Sequence, residues 1–86
     1  MTLHEIYIGH VMACPHCYAP KNRYCTDGER VRTNYLAAYL MELESTVAKS
    51  LMRAEKRDNP SLFPGVADRV RELQAKQAAQ EDLANG

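Results

Sequence analysis

The 86-residue sequence has few of the large aromatic side chains that fill a thick hydrophobic core. It contains no tryptophan and one phenylalanine, whereas alanine is frequent. A chain of this length buries a modest fraction of its surface, so its core alone provides little stability. Domains of this size often add a metal ion, a disulfide or a partner chain. We therefore expect one small domain, residues 1–86, supported by one of these devices.

The sequence also lacks an excess of positive or negative charge, and it contains no long apolar run. Its 11 basic and 11 acidic residues cancel, whereas nucleic-acid-binding domains are usually basic, so binding to DNA or RNA would need a local patch. No apolar run approaches the roughly 18 residues of a membrane-spanning helix, and no charged-then-apolar leader is present. A glycine-rich phosphate loop and a nucleophile–base–orienter set are missing too. These absences predict a cytoplasmic, non-enzymatic protein without a membrane partner.

The odd number of cysteines and the tight C-x-x-C indicate metal or redox chemistry in place of a disulfide framework. Metal binding is favoured over redox chemistry, because the chain is too short to build the βαβ unit of a thioredoxin-like protein. Cys14 and Cys17 frame a C-x-x-C, and Cys25 follows. A two-residue spacer lets one tight turn bring two thiolates to the same zinc ion. Cys25 precedes a capping-box pattern, Thr26–Glu29, so its sulfur would lie near a helix N-terminus, where the dipole favours a thiolate. The pattern predicts structural zinc; the alternative is three reduced cysteines, some of them buried.

The fourth zinc ligand is left open by the sequence. The candidates are His10, His16, His4, Asp27 and Glu29. A histidine inside a C-x-x-C usually points away from the ion, and the cap requires Glu29. We favour His10, although in an extended chain the four residues to Cys14 span about 13 Å, so the chain would have to bend. For each candidate, a solvated or hydrogen-bonded side chain is the alternative.

The pattern of apolar residues predicts an α+β fold that begins with a zinc-knuckle-like β-hairpin over residues 1–29. Residues 3–13 mix β-branched and aromatic residues without proline, which indicates a short strand. Residues 18–24 contain a turn followed by a short return segment. The two segments together would form the hairpin that carries the cysteines.

Two helices are expected to follow the hairpin. A long helix is predicted over 30–57, because apolar residues recur there at three- and four-residue steps: Leu36, Leu40, Leu43, Val47 and Leu51. A proline-containing linker, 58–65, separates it from a second helix over 66–83. Val66, Val70 and Leu73 form the apolar stripe of that helix. Residues 84–86 are expected to form a frayed tail.

The segment ACPHCYAPKNRYCT, followed by a glycine and NYLAAYL, resembles the small zinc-finger proteins of actinobacteriophages and their hosts. The resemblance covers about residues 11–40. It is carried by Cys14, Pro15, Cys17, Ala19, Pro20, Cys25, Thr26 and Gly28. It implies a phage-encoded, zinc-binding module in the cytoplasm of a bacterial host. The family's final histidine, which by analogy would fall around residues 34–37, is missing, so zinc would be held by a substituted ligand, held weakly, or not held.

Two functions are consistent with this pattern, and we favour protein interaction. The apolar face of the long helix is wider than a hairpin and a short helix would cover, which predicts a contact with a host protein or a homodimer. The candidate contact residues are Tyr39, Met41, Leu43 and Met52. The alternative is a DNA- or RNA-binding regulator that uses basic residues around the knuckle and a tyrosine able to stack on bases. The residues of that patch are Lys21, Arg23, Arg30, Arg32 and Tyr24. For either set, the alternative is a solvated face or intramolecular packing.

Overall fold

Helices dominate the computed structural model, which describes the backbone of residues 1–85 and the side chains of residues 1–80. The four α-helices are α1 (Leu3–Ala13), α2 (Thr26–Glu42), α3 (Ser45–Asp58) and α4 (Phe63–Asn85), with a 3₁₀ turn at Ala19–Lys21. No strand occurs in this part of the chain, so the fold is all-α. The predicted α+β class is therefore wrong.

The first correction concerns residues 3–13, which form helix α1 instead of a strand. Thr2 is the N-cap, and its Oγ1 accepts a hydrogen bond of 3.1 Å from the backbone N–H of Glu5. The Thr2-x-x-Glu5 spacing is that of a capping box, which starts a helix. Packing of the half-buried face of α1 against α2 then outweighs the strand preference of the isoleucines, because propensity is a weak prior.

The predicted β-hairpin is reduced to one isolated antiparallel bridge. The N–H of Tyr18 donates to the carbonyl of Arg23 at 2.7 Å, and the N–H of Arg23 donates to the carbonyl of Tyr18 at 3.1 Å. Between them, Asn22 adopts a left-handed conformation with φ 52°, which asparagine tolerates better than most residues. The bridge closes a loop between Cys17 and Cys25 without building a sheet.

The single long helix predicted over 30–57 is also wrong, because it is broken after Glu42 into α2 and α3. The N–H of Leu43 closes α2 by donating to the carbonyl of Leu40 at 3.3 Å. The break changes which face of the following segment is covered. Val47 and Leu51 of the predicted stripe are 45% and 38% exposed, whereas their neighbours Ala48 and Met52 pack against the core.

The last helix begins earlier than predicted, at Phe63 in place of residue 66, which shortens the linker to residues 59–62. Pro64 is compatible with this start because the first turn of a helix leaves its N–H groups without intrahelical partners. Fraying of residues 84–86 stays a prediction: the helical backbone extends to Asn85, and Gly86 lies outside the described residues.

Helix α2 lies at the centre of the molecule, with α1 and α4 as its main neighbours. The core joins Ala37 and Leu40 of α2 to Val66 and Val70 of α4. Leu73 packs against this cluster, so the stripe predicted for the last helix faces the core. No helix in the described part of the chain is both long and apolar enough to cross a membrane.

Candidate metal centre

Four potential metal ligands meet where the C-terminal end of α1 faces the N-terminal end of α2. The ligand atoms of His10, Cys14, Cys17 and Cys25 all lie within 4.8 Å of one another. The Sγ of Cys25 is 3.7 Å from the Sγ of Cys14 and 3.7 Å from that of Cys17. It is 3.1 Å from the Nε2 of His10. The arrangement is compatible with a metal site.

These distances fit a tetrahedral thiolate site and do not fit a disulfide. Zinc holds thiolates at about 2.3 Å, so two sulfurs of a tetrahedron lie about 3.8 Å apart. Bonded sulfurs would be about 2.05 Å apart, and all three cysteines are free. Cys17 is buried, while Cys14 and Cys25 are partly exposed.

Helix α1 explains how His10 reaches the cluster. His10 and Cys14 are four residues apart, and on a helix this spacing places two side chains on the same face, with a rise of about 6 Å. The same four residues would span about 13 Å in the strand that the sequence suggested. The favoured fourth candidate therefore lies in the cluster because the segment is a helix, and the chain needs no bend before Cys14.

Cys25 is placed by its role as the N-cap of α2. Its Sγ accepts the N–H of Gly28 at 3.2 Å, and its own N–H donates to the Sγ of Cys17 at 3.5 Å. The sequence had assigned the cap to Thr26, but Thr26 is the first helical residue. The cap is thus made by a sulfur, which ties the start of α2 directly to the cluster.

The same contacts lower the pKa of the Cys25 thiol, whereas the pKa of the Cys17 thiol is raised. The N–H of Gly28, followed by the hydrogen bond to His10, lowers the pKa of Cys25 to about 6. The N–H of Cys25 acts to lower the pKa of Cys17, but burial and hydrogen bonds to the Cys14 and Cys25 thiols outweigh it and raise that pKa to about 11. Cys25 therefore loses its proton more readily than Cys17, and the thiolate is the form that binds metal.

Gly28 is the one residue of the centre at which a side chain would not fit. It is buried, and a Cβ there would lie 2.8 Å from the Sγ of Cys17 and 3.5 Å from the Cδ2 of His10. In the sequence, Gly28 is part of the motif that resembles the zinc-finger proteins. Its proximity to Cys25 was visible in the sequence, but its contact with Cys17 was not.

The other candidate ligands lie away from the cluster. His4 is near the opposite end of α1. His16 and Glu29 are exposed, and Asp27 forms an exposed ion pair of 3.3 Å with Arg30. None of these four acidic or histidine candidates shares the cluster with the cysteines.

A polar network that the sequence did not indicate lies beside the centre. The hydroxyl groups of Tyr7 and Tyr24 are 2.9 Å apart, and the guanidinium of Arg32 lies over the Tyr24 ring, 5.6 Å from its centroid. Arg32 forms a 2.7 Å ion pair with Glu55, and both side chains are only 11% exposed. Glu55 also accepts a 3.1 Å hydrogen bond from Asn59. The network joins α1, α2 and α3.

Of the residues predicted to contact nucleic acid, some belong to this polar network and the others are exposed. Arg32 and Tyr24 belong to the network, whereas Lys21 and Arg23 are exposed on the loop. Arg30 is exposed and pairs with Asp27. Binding to DNA or RNA stays a prediction, and three of its five residues, Tyr24, Arg30 and Arg32, already form intramolecular contacts.

The residues predicted to contact a partner lie at the edge of the core. Met41, Leu43 and Met52 pack against the buried cluster, while Tyr39 is 43% exposed. The first three also border a cleft of about 350 Å³ between α2, α3 and α4. Their use in binding a partner or a second copy stays a prediction.

The fold and the cluster define a small all-α protein with one Cys₃His group. Comparison with protein-family models, curated proteins and solved structures gives no match. The resemblance to actinobacteriophage zinc-finger proteins stays a prediction, and the site is interpreted from its own geometry.

Proposed function

We propose that the chain binds one structural zinc ion through His10, Cys14, Cys17 and Cys25. The observation that carries the proposal is the set of ligand distances: four donor atoms within 4.8 Å of one another, with both sulfur–sulfur distances to Cys25 at 3.7 Å. Three soft thiolates and one imidazole favour zinc over magnesium or calcium, which prefer oxygen ligands.

The zinc ion would fasten α1 and the loop that carries the cysteines to the start of α2. The hydrophobic core lies elsewhere, between α2 and α4, and it contains four buried residues. A core of this size provides little stability, so a metal is a typical support. Four protein ligands complete a tetrahedron and leave no position for water, which supports a non-enzymatic role.

Metal analysis of the purified protein tests this proposal. We expect one zinc per chain, and visible absorption typical of tetrahedral thiolate coordination after replacement with cobalt(II). Cys25→Ser should lose the metal because it removes the sulfur that contacts the other three ligands. His16→Gln is the matched control, since His16 is exposed within the C-x-x-C and lies outside the cluster.

Folded wild-type protein that takes up no zinc, even when zinc is supplied in excess, would overturn the proposal. A circular dichroism spectrum of each variant shows whether it is folded. If Cys25→Ser does not fold, His10→Gln provides the second measurement: a shift in the cobalt spectrum is expected, and an unchanged spectrum would exclude His10 as a ligand.

We also propose that the module acts by contacting a partner protein, either a host protein or a second copy. Apolar side chains are exposed at helical spacing on two elements: Ile8 and Met12 on α1, at 38% and 82%, and Val47 and Leu51 on α3, at 45% and 38%. Contiguous exposed apolar patches mark interaction sites, and these two pairs are the observation that supports the proposal.

Light scattering of the zinc-loaded protein, combined with a DNA-binding assay over a range of salt concentrations, tests this second proposal. Self-association that is abolished by Val47→Ser or Met12→Ser would support the homodimer. A monomer at every concentration that binds DNA more weakly as salt rises would overturn it in favour of the nucleic-acid alternative.

A further inference from the structure

A cavity of about 390 Å³ opens between the N-terminal end of α1 and the C-terminal end of α2. Its lining combines three ring-bearing residues, His4, Tyr35 and Tyr39, with the acidic residue Glu42. Leu3 adds apolar surface. The cavity lies at the opposite end of α1 from His10 and Cys14, so it is separate from the metal centre.

The rings in this cavity lie close to one another. The centroids of His4 and Tyr35 are 5.1 Å apart. Those of Tyr35 and Tyr39 are 6.2 Å apart, with the two rings inclined by 21°. Tyr39 is 43% exposed, so part of its ring is accessible to a ligand. The face of an aromatic ring carries negative electrostatic potential and attracts cations.

Glu42 has no ion-pair partner within the described chain, and the positive end of the α1 dipole lies on the other side of the same cavity. Glu42 is the last residue of α2 and forms no ion pair with any side chain among residues 1–80. The last turn of α2 contains no basic residue, although its free carbonyl groups favour a cation there. By contrast, the last turn of α3 contains Lys56 and Arg57.

We propose that this cavity binds an arginine side chain of a partner protein. The planar guanidinium would stack on Tyr39 and donate hydrogen bonds to Glu42, two contacts that arginine makes better than lysine. The methylene stem of the arginine would lie along Leu3, because long basic side chains bury their apolar stems while the charged head remains accessible. The proposal does not depend on zinc, since none of the lining residues is a candidate ligand within the cluster.

The test is an NMR titration of the ¹⁵N-labelled, zinc-loaded protein with N-acetyl-L-arginine amide. The reference compound is N-acetyl-L-citrulline amide, which has the same shape without the charge. We expect saturable shifts confined to the two helix ends around the cavity, and an affinity for the citrulline compound at least roughly threefold weaker. Free L-arginine distinguishes a small-molecule site from a protein site, because an arginine within a protein chain lacks the charged α-ammonium and α-carboxylate groups of the free amino acid.

Three variants complete the experiment. Glu42→Gln should weaken arginine-amide binding to the level of the citrulline compound, and Tyr39→Leu should weaken it by a similar factor. Glu44→Gln is the matched control, because it removes the same charge from an exposed residue just beyond α2 that does not line the cavity. Zinc content measured on every sample separates a failure here from a failure of the metal centre.

Equal affinities for the arginine and citrulline amides would overturn the proposal. Equal effects of Glu42→Gln and Glu44→Gln would also overturn it, since they would show a general charge effect. Tighter binding of free L-arginine than of its amide would overturn the assignment to a partner protein.

Discussion

Gly28 packs directly beneath Cys17 and His10, two of the candidate zinc ligands, and offers a sharp test at the scale of single residues. A Cβ at position 28 would lie 2.8 Å from the Sγ of Cys17, so Gly28→Ala must displace that sulfur. We expect the zinc affinity to fall about 10- to 100-fold, as it does when groups that support metal ligands are changed. Competition with a chromogenic chelator measures this change.

Gly9→Ala provides the matched control for that substitution. Gly9 lies within α1, and a Cβ there would meet nothing within 4 Å. The zinc affinity should remain that of wild type, while the free energy of unfolding should rise by about 0.5–1 kcal/mol because alanine favours a helix. Equal zinc affinities of Gly28→Ala and Gly9→Ala would contradict the role given to Gly28.

The raised pKa of Tyr7 leads us to expect that the stability of the protein depends on pH in the alkaline range. Burial, and then its hydrogen bond to Tyr24, raises the pKa of Tyr7 to about 12, from an ordinary value of about 10. The stabilisation that neutral Tyr7 provides is therefore complete below about pH 10 and is lost as the pH rises through about 12. Since the chain lacks tryptophan, tyrosinate absorbance can be followed directly.

The measurement compares two phenylalanine variants with the wild type in that absorbance titration. Tyr7→Phe should lose the component that ionises near pH 12, whereas Tyr18→Phe, which removes a tyrosine that is 53% exposed, should keep it. If Tyr7→Phe retains the high-pH component, another tyrosine is responsible and this interpretation is wrong.

At the scale of elements, the buried ion pair between Arg32 and Glu55 holds α2 and α3 in place. We expect Glu55→Gln to lower the free energy of unfolding by about 3 kcal/mol, because it leaves Arg32 buried without its partner charge. Asp58→Asn is the control: Asp58 pairs with Arg57 at the exposed end of α3, and exposed pairs contribute roughly 0–1 kcal/mol. Urea unfolding of zinc-loaded protein measures both, and equal losses would contradict the structural role of the pair.

Sequence patterns were sufficient to predict some of these helices and their buried faces, but not others. The stripe Val66, Val70 and Leu73 predicted the core-facing side of α4, because a helix with one apolar face must cover it. The β-branched and aromatic content of residues 3–13 predicts a strand, whereas Thr2 and Glu5 have the capping-box spacing of the helix that forms there. The break after Glu42 has no proline or glycine to indicate it, so it could not be predicted from local signals.

At the scale of the whole molecule, α2 is held by two separate sets of contacts, one at each end of the helix. The candidate metal centre lies at its N-terminal end with α1, and the hydrophobic core joins its C-terminal half to α4. Zinc binding contributes about 10 kcal/mol or more in small zinc domains, which matches or exceeds the total stability of many domains. Metal and fold should therefore depend on each other.

Removal of the metal tests this dependence. We expect chelation to abolish the cooperative thermal transition and to reduce the helical circular dichroism signal, because α1 loses its metal link to the start of α2. Added zinc should restore both signals, whereas magnesium should not, since it prefers oxygen ligands. An unchanged midpoint and helicity after complete chelation would contradict the structural role of the metal.

The sequence by itself determined which residues could bind a metal, because a C-x-x-C and a third cysteine beside a helix start restrict the choice of thiolate ligands. It also determined the apolar face of the last helix. Only the tertiary structure decided that residues 3–13 are helical, and this brings His10 and Cys14 onto one face beside Cys25. It also decided that Arg32 is paired within the molecule. Both outcomes depend on contacts with α2 or α3 that link residues distant in sequence, and no local pattern specifies such contacts.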